Sequence, residues 1–116
     1  MSLRRREEGS EGSGGNARTA LETRWLHLTR VTLPGLAASH GWPVRNDHCF
    51  QRVLLDAACG GRWLDHVAGR PAYKTIDATR LATAVTLAQA VASGSADLAA
   101  LNRQSLAWRG KRSAWT

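Results

Sequence analysis

The sequence predicts an all-α fold, a single compact domain of about five helices with a disordered N-terminal tail. Much of its apolar content is Ala and Leu, which favour helix, whereas β-branched residues and aromatics other than Trp are scarce. A length of 116 residues is typical of one domain with a modest core. We therefore expect a tail at 1–18, a helical domain at 19–112 and a flexible C-terminus at 113–116.

The N-terminal third of the chain is predicted to contain two helices after the tail. Residues 1–18 are rich in Gly, Ser and charged residues and offer almost nothing to bury, which is typical of disorder. Thr19 followed by Glu22 forms a capping box for the first helix. Because Pro34 disfavours helical geometry at the preceding residue, we expect this helix to end there and a shorter one to run from Pro34 to Gly41.

A third helix is predicted from about His48 to Cys59, with a pair of glycines as its stop. Asn46 and Asp47 are both suitable N-caps for it. Arg52 and Asp56 stand four residues apart, so they could form an ion pair on the helix surface. This stretch holds both cysteines of the chain and one of its four histidines.

The C-terminal half is predicted to be helical as well. A short helix over 62–68 leads into a loop over 70–76. Asp77 then caps the clearest helix of the sequence, which we place at 78–93 from its apolar stripe and its glycine stop. A last helix is expected over 96–108.

The charge distribution favours an anionic partner. The formal net charge is +7, and the three arginines at 4–6 are balanced by Glu7, Glu8 and Glu11, so the excess lies on the folded part. A basic surface favours DNA, RNA or another anion as partner, although charge that only maintains solubility is the alternative. The candidate anion contacts are Arg70, Lys74, Arg103, Arg109, Lys111 and Arg112. The leading hypothesis is a small basic helical protein that binds nucleic acid or another anionic partner through these residues.

A second hypothesis is an enzyme or a thiol-dependent protein. Its candidate catalytic residues are Asp47, His48, Cys49 and Arg52. A cysteine in the first turn of a helix faces unpaired backbone N–H groups, which lower a thiol pKa. His48 would face away from Cys49, so His40 or His66 would have to supply the base. The competing interpretation is that Cys49 is a small buried residue. A helical adaptor with an apolar patch is a third possibility.

The sequence predicts no metal site and no cofactor. Cys49 and Cys59 lie at opposite ends of one predicted helix, about 15 Å apart at about 1.5 Å per residue, too far for one ion. The glycines match neither a P-loop nor a dinucleotide-binding pattern. Neither a signal peptide nor a membrane span is predicted, and two cysteines do not make a disulfide scaffold. We therefore expect a cytoplasmic protein with reduced thiols.

Several stretches of the chain together form a recognisable pattern. They are WPVRxDHCFQR at 42–52, Leu55-Asp56, Gly61-x-Trp63, RPAYK at 70–74 and LNxxSLxWRGK at 101–111. The pattern resembles a family of small proteins from bacteria and some fungi that has no established activity, and the likeness covers about residues 21–111. Some members carry an acetyltransferase label. This chain does not fit that label, since it is short, predicted all-helical and without a glycine-containing acyl-CoA pyrophosphate loop.

Overall fold

The computed structural model describes residues 13–110, which fold into helices joined by short connections and contain no β-strand. The helices are α1 (Ser13–His27), α2 (Leu33–His40), α3 (Asp47–Cys59), α4 (Ala72–Thr75), α5 (Ala78–Ser93) and α6 (Leu98–Trp108). A π-helical turn at Leu28–Thr32 joins α1 to α2, and a 3₁₀ turn at Trp63–Asp65 follows α3. Five of the six helices have two turns or more, so the prediction of an all-α domain of about five helices is confirmed.

The start of α1 differs from the prediction. α1 begins at Ser13, so it takes in the end of the segment predicted as tail, and Thr19 lies within the helix. Arg18 attaches this part of α1 to the rest of the domain: its Nε donates to Glu22 at 2.7 Å and its Nη2 to the Tyr73 carbonyl at 2.7 Å. The rest of the predicted tail, residues 1–12, and the C-terminal residues 111–116 lie outside the described residues.

The predicted helix break before Pro34 is wrong. Leu33 has helical dihedral angles, φ −69° and ψ −44°, and α1, the π-helical turn and α2 run on without interruption. The proline ring would clash with the carbonyl four residues earlier in a regular α-helix. The Leu33 N–H instead donates to the Leu28 carbonyl five residues earlier, so the helix is widened just before the proline.

Helix α5 is the centre of the core and packs against α1, α2 and α3. Its buried residues are Leu81, Ala84, Val85, Ala88 and Val91. The other helices contribute the fully buried side chains of Trp25, Leu33, Phe50, Val53 and Leu54. Helix α6 packs mainly on α3, and its Leu98 joins the same hydrophobic core. The site described below lies at the contact between α6 and α3.

Three side chains cap the main helices. Asn46 accepts from the Cys49 N–H at 3.2 Å at the start of α3, which settles the choice between the two predicted caps. Asp77 accepts from the Arg80 N–H at 3.0 Å and starts α5 where the sequence predicts. Asp97 caps α6, which therefore begins two positions later than expected, at Leu98.

Among residues 13–110, no helix is long and apolar enough to span a bilayer.

The cap of α5 gives a stability prediction. Asp77→Ala should lower the free energy of unfolding by about 1 kcal/mol, because the Arg80 N–H loses its acceptor. Urea denaturation followed by circular dichroism measures this change. Asp77→Asn keeps the capping oxygen and is the matched control, which should stay close to the unchanged protein. Equal destabilisation by both substitutions would contradict the capping role.

Candidate functional site

Asp56 on α3 is a fully buried acidic residue with a complete set of partners. Arg109 binds both of its oxygens, from Nε to Oδ2 at 2.8 Å and from Nη2 to Oδ1 at 2.9 Å. The Ser105 hydroxyl donates to Oδ2 at 2.7 Å, and the Trp63 backbone N–H donates to Oδ1 at 2.9 Å. Each oxygen of Asp56 therefore accepts two hydrogen bonds, which is the condition under which a buried charge is tolerated.

This network joins the C-terminal end of α6 to the turn that follows α3. Ser105 lies in the last turn of α6, Arg109 is the C-cap of that helix, and Trp63 begins the 3₁₀ turn. Both segments are therefore held to the same carboxylate. The position of the Trp63 backbone and of the Arg109 guanidinium follows from that attachment.

Arg52 is held by the same face of α6. Its Nη1 donates to Ser105 Oγ at 2.7 Å and its Nη2 to Asn102 Oδ1 at 2.8 Å. The predicted surface pair between Arg52 and Asp56 is wrong, because Asp56 turns inward to Arg109 while Arg52 reaches across to α6. Both acceptors of Arg52 are neutral, and no carboxylate within residues 13–110 pairs with its charge.

A cavity of about 580 Å³ opens beside this network. Six of its lining side chains are arginines or large aromatics: Arg52, Arg70, Arg109, Trp25, Trp63 and Tyr73. The rest of the wall consists of His48, Gln51, Leu55, Pro71 and Ala72. No acidic side chain of the described chain is part of this lining. The volume is within the range of pockets that hold small organic ligands, about 300–1,000 Å³.

The cavity carries positive charge that no acidic side chain of residues 13–110 neutralises. Arg109 is balanced by Asp56, but Arg52 contacts only neutral acceptors. The Arg70 guanidinium lies 5.6 Å from the ring centroid of Trp63, a cation–π contact, and forms no hydrogen bond or ion pair with another described residue. Two arginine charges therefore face the cavity without a carboxylate partner.

Trp25 adds an unpaired donor to the wall of the cavity. The residue is completely buried, and its indole Nε1 has no hydrogen-bond partner in the described part of the chain. A buried tryptophan N–H ordinarily finds an acceptor, and leaving it unpaired is unfavourable. Trp25 therefore borders the cavity with a donor that no described residue satisfies.

The structure divides the predicted anion contacts into three groups. Arg70 and Arg109 line the cavity and stand beside Arg52. Lys74 is exposed, and its Nζ lies 3.7 Å from Glu22 Oε1. Arg103 is exposed on α6 and lies outside the cavity lining. Lys111 and Arg112 lie outside the described residues.

The predicted catalytic residues do not come together at one place. His48 and Arg52 line the cavity, whereas Asp47 and Cys49 do not. The His48 ring is largely exposed, with Nδ1 at 3.3 Å from Asp47 Oδ1. Cys49 is half-buried and packs against the hydrophobic core. Among the described residues, its sulfur makes no hydrogen bond with a histidine, so no base is in place for a nucleophilic thiol.

Sequence reasoning missed Asp56, Ser105 and Trp63 as members of the site. Asp56 carried a signal, since it interrupts the apolar run Leu54-Leu55-Asp56-Ala57-Ala58, where an acid is unfavourable unless it is paired. Its partners could not be read from the spacing, because Arg109 lies 53 positions away in the chain.

Comparison with protein-family models, with curated proteins and with solved structures finds no match to the chain. The resemblance to a bacterial and fungal family therefore stays a prediction. Several residues of the pattern that carries it, among them Arg52, Asp56, Trp63, Arg70 and Arg109, lie in the network or the cavity wall. Within residues 13–110, no three His, Cys, Asp or Glu side chains are grouped to hold a metal ion.

The buried network gives a second stability prediction. Asp56→Asn should lower the free energy of unfolding by about 3 kcal/mol, because it leaves the mostly buried Arg109 guanidinium without its counter-charge. Urea denaturation again provides the measurement. Asp65→Asn, which breaks an exposed ion pair with Arg62, is the matched control and should change little. A loss no larger than that of the control would contradict a structural role for Asp56.

The two free thiols give a third prediction. Burial raises the pKa of the Cys59 thiol above its ordinary value; Arg80 opposes this shift, and Asp56 and Asp77 add to it. In a Cys49→Ala variant, alkylation of Cys59 by iodoacetamide at pH 8 should be slower than that of a free peptide thiol, because less thiolate is present. The rate should rise to the peptide value in urea. A folded protein that reacts as fast as the peptide would refute this assignment.

Proposed function

We propose that the protein binds an organic anion in the cavity between α3, the segment 63–73 and the end of α6. The observation that carries the proposal is the state of Arg52. Its guanidinium is fixed by two neutral acceptors at the cavity wall and lacks a carboxylate partner within residues 13–110. Sequence analysis indicated an anionic partner, and the unpaired arginine charges at the cavity support that proposal.

The charge of the lining supports an anion. Opposite unit charges about 4 Å apart attract by about 4 kcal/mol at an effective dielectric constant of about 20, before the cost of removing water. Arg52 and Arg70 both offer this attraction, and no acid of the described lining opposes it. Because Ser105 and Asn102 already hold Arg52, little side-chain entropy is lost when it binds.

The aromatic part of the lining supports an organic molecule over a simple ion. Trp63 and Tyr73 are half-buried, and Leu55, Pro71 and Ala72 extend the apolar wall between them. Ligand pockets in proteins typically combine such apolar walls with a few fixed polar groups. An anion without an apolar part would leave this surface in contact with water.

Nucleic acid remains a candidate source of the anion, through a nucleotide that enters the cavity. The predicted contact along the surface has weaker support in the described residues, because Lys74 lies beside Glu22 and Arg103 stands outside the lining. Cys49 also lies outside the lining, so the proposal does not extend to thiol chemistry.

The proposal predicts that Arg52→Gln weakens anion binding. The probes are adenosine 5′-monophosphate, benzoate and a short single-stranded oligonucleotide at low ionic strength, and tryptophan fluorescence is the readout because Trp25 and Trp63 line the cavity. We expect the dissociation constant of any bound probe to rise by about tenfold or more, the size expected for a charged hydrogen-bonded contact. Added salt should weaken binding to the unchanged protein.

Arg103→Gln is the matched control, since Arg103 is exposed on the same helix outside the cavity. It should leave the affinity nearly unchanged. Circular dichroism of both variants establishes that they fold. A protein that binds none of the probes, or equal losses in the two variants, would overturn the proposal; equal losses would favour a contact along the α6 surface.

A further inference from the structure

We infer that the ligand is a phosphate monoester attached to a flat ring, a molecule of the size and chemistry of a mononucleotide. The inference rests on the proposed function and specifies its ligand class. It is drawn from the spatial relation of the arginines, the charge they leave unbalanced, the aromatic wall and the unpaired Trp25 donor.

Two guanidinium groups converge on the same part of the cavity. Between Arg52 Nη1 and Arg109 Nε stand only Ser105 Oγ and an Asp56 oxygen, linked by hydrogen bonds of 2.7, 2.7 and 2.8 Å. Nε and Nη2 of Arg109 donate to Asp56, so its Nη1 donors can bind a ligand. Arg52 has five N–H donors and commits two of them to α6.

Donors from two separate guanidinium groups suit a tetrahedral anion. A carboxylate presents two oxygens in one plane, a geometry that matches the fork of a single arginine. A phosphate monoester presents three terminal oxygens that point in different directions, so it can accept from both arginines at once.

The unbalanced charge also fits a phosphate monoester. Three arginines line the cavity, and Asp56 balances one of them, so two positive charges remain. A phosphate monoester carries about −1.5 to −2 charges near pH 7. Arg70 is exposed at the cavity and is bound only to the Trp63 ring face among described residues, so it can approach the phosphate without breaking an ion pair.

The remaining walls are suited to a flat ring. Trp63 and Tyr73 each offer an aromatic surface in the same cavity as the arginines. Aromatic stacking with a nucleobase contributes substantially to binding and does not depend on which base is present. The volume of about 580 Å³ accommodates a molecule of mononucleotide size.

Trp25 supports a ligand with hydrogen-bond acceptors, because its unpaired donor belongs to a residue that borders the cavity. Its N–H is completely buried and lacks a partner within residues 13–110, yet the residue lines the cavity wall. Phosphate oxygens, ribose oxygens and base nitrogens can all accept a hydrogen bond from this N–H.

Isothermal titration calorimetry on the full chain tests the ligand class. The probes are adenosine 5′-monophosphate, ribose 5-phosphate, adenosine, inorganic phosphate and benzoate. We expect adenosine 5′-monophosphate to bind at least about fivefold more tightly than ribose 5-phosphate, because of stacking, and at least about tenfold more tightly than adenosine, because of the phosphate. Trp63→Leu should reduce the difference between adenosine 5′-monophosphate and ribose 5-phosphate. Trp108→Leu, an exposed tryptophan outside the lining, is the matched control and should preserve it.

The indole N–H signals in a proton–nitrogen NMR spectrum give a readout that does not depend on those variants. Trp25→Phe identifies the Trp25 signal by its disappearance. Adenosine 5′-monophosphate should shift that signal and leave the Trp108 signal in place. A Trp25 signal unmoved at saturating ligand would contradict the inferred position of the ligand.

Two sources could supply the same chemistry, a free mononucleotide or the phosphorylated end of a nucleic acid strand. A 5′-phosphorylated trinucleotide compared with its 5′-hydroxyl form separates them. Preference for the phosphorylated strand supports a strand end, and preference for the mononucleotide supports a free nucleotide. Benzoate binding as tightly as adenosine 5′-monophosphate would overturn this inference and leave the proposed organic-anion site standing. Inorganic phosphate binding as tightly would overturn this inference and the preference for an organic anion, and no binding of any anion would overturn both proposals.

Discussion

A carboxylate removed from water requires donors for its oxygens, and Asp56 obtains four of them from the turn after α3 and from the last two turns of α6. Such buried ion pairs contribute little net stability relative to apolar residues, but breaking one is costly. The consequence here is geometric. Helix α6 can pack on α3 only where Arg109 and Ser105 both reach Asp56, so the carboxylate defines how the two helices meet.

The arrangement of the cavity follows from that contact. Ser105 donates to Asp56 and accepts from Arg52, so the group that completes the buried carboxylate also orients the arginine at the wall. The N–H of Trp63 is held by the same carboxylate, and Arg70 lies over the Trp63 ring. Asp56 therefore neutralises Arg109, whereas Arg52 and Arg70 at the cavity have no carboxylate partner among the described residues. An anion-binding site requires such unpaired positive charge.

Local signals in the sequence predicted local structure well. The N-cap Asp77 and the C-cap Gly94 are local signals that predict both ends of α5. Composition and capping together predicted the all-helical fold. The helical continuity through Leu33 was missed because tertiary packing and a π-helical turn overrode the proline rule. The site was missed for a different reason: Asp56 and Arg109 are brought together only by the packing of α6 on α3. Charge alone identified Arg70 and Arg109 as candidate anion contacts, but it could not show that they line the same cavity.

The central claim is that the buried network positions Arg52 to bind an anion, and Ser105→Ala tests it most directly. The substitution removes the hydroxyl that links Arg52 to Asp56 and leaves every charge in place. The measurement is the dissociation constant for adenosine 5′-monophosphate on a variant that circular dichroism shows to be folded. Binding should weaken by about fivefold or more, since one positioning hydrogen bond is lost. An unchanged dissociation constant in the folded variant would contradict the central claim.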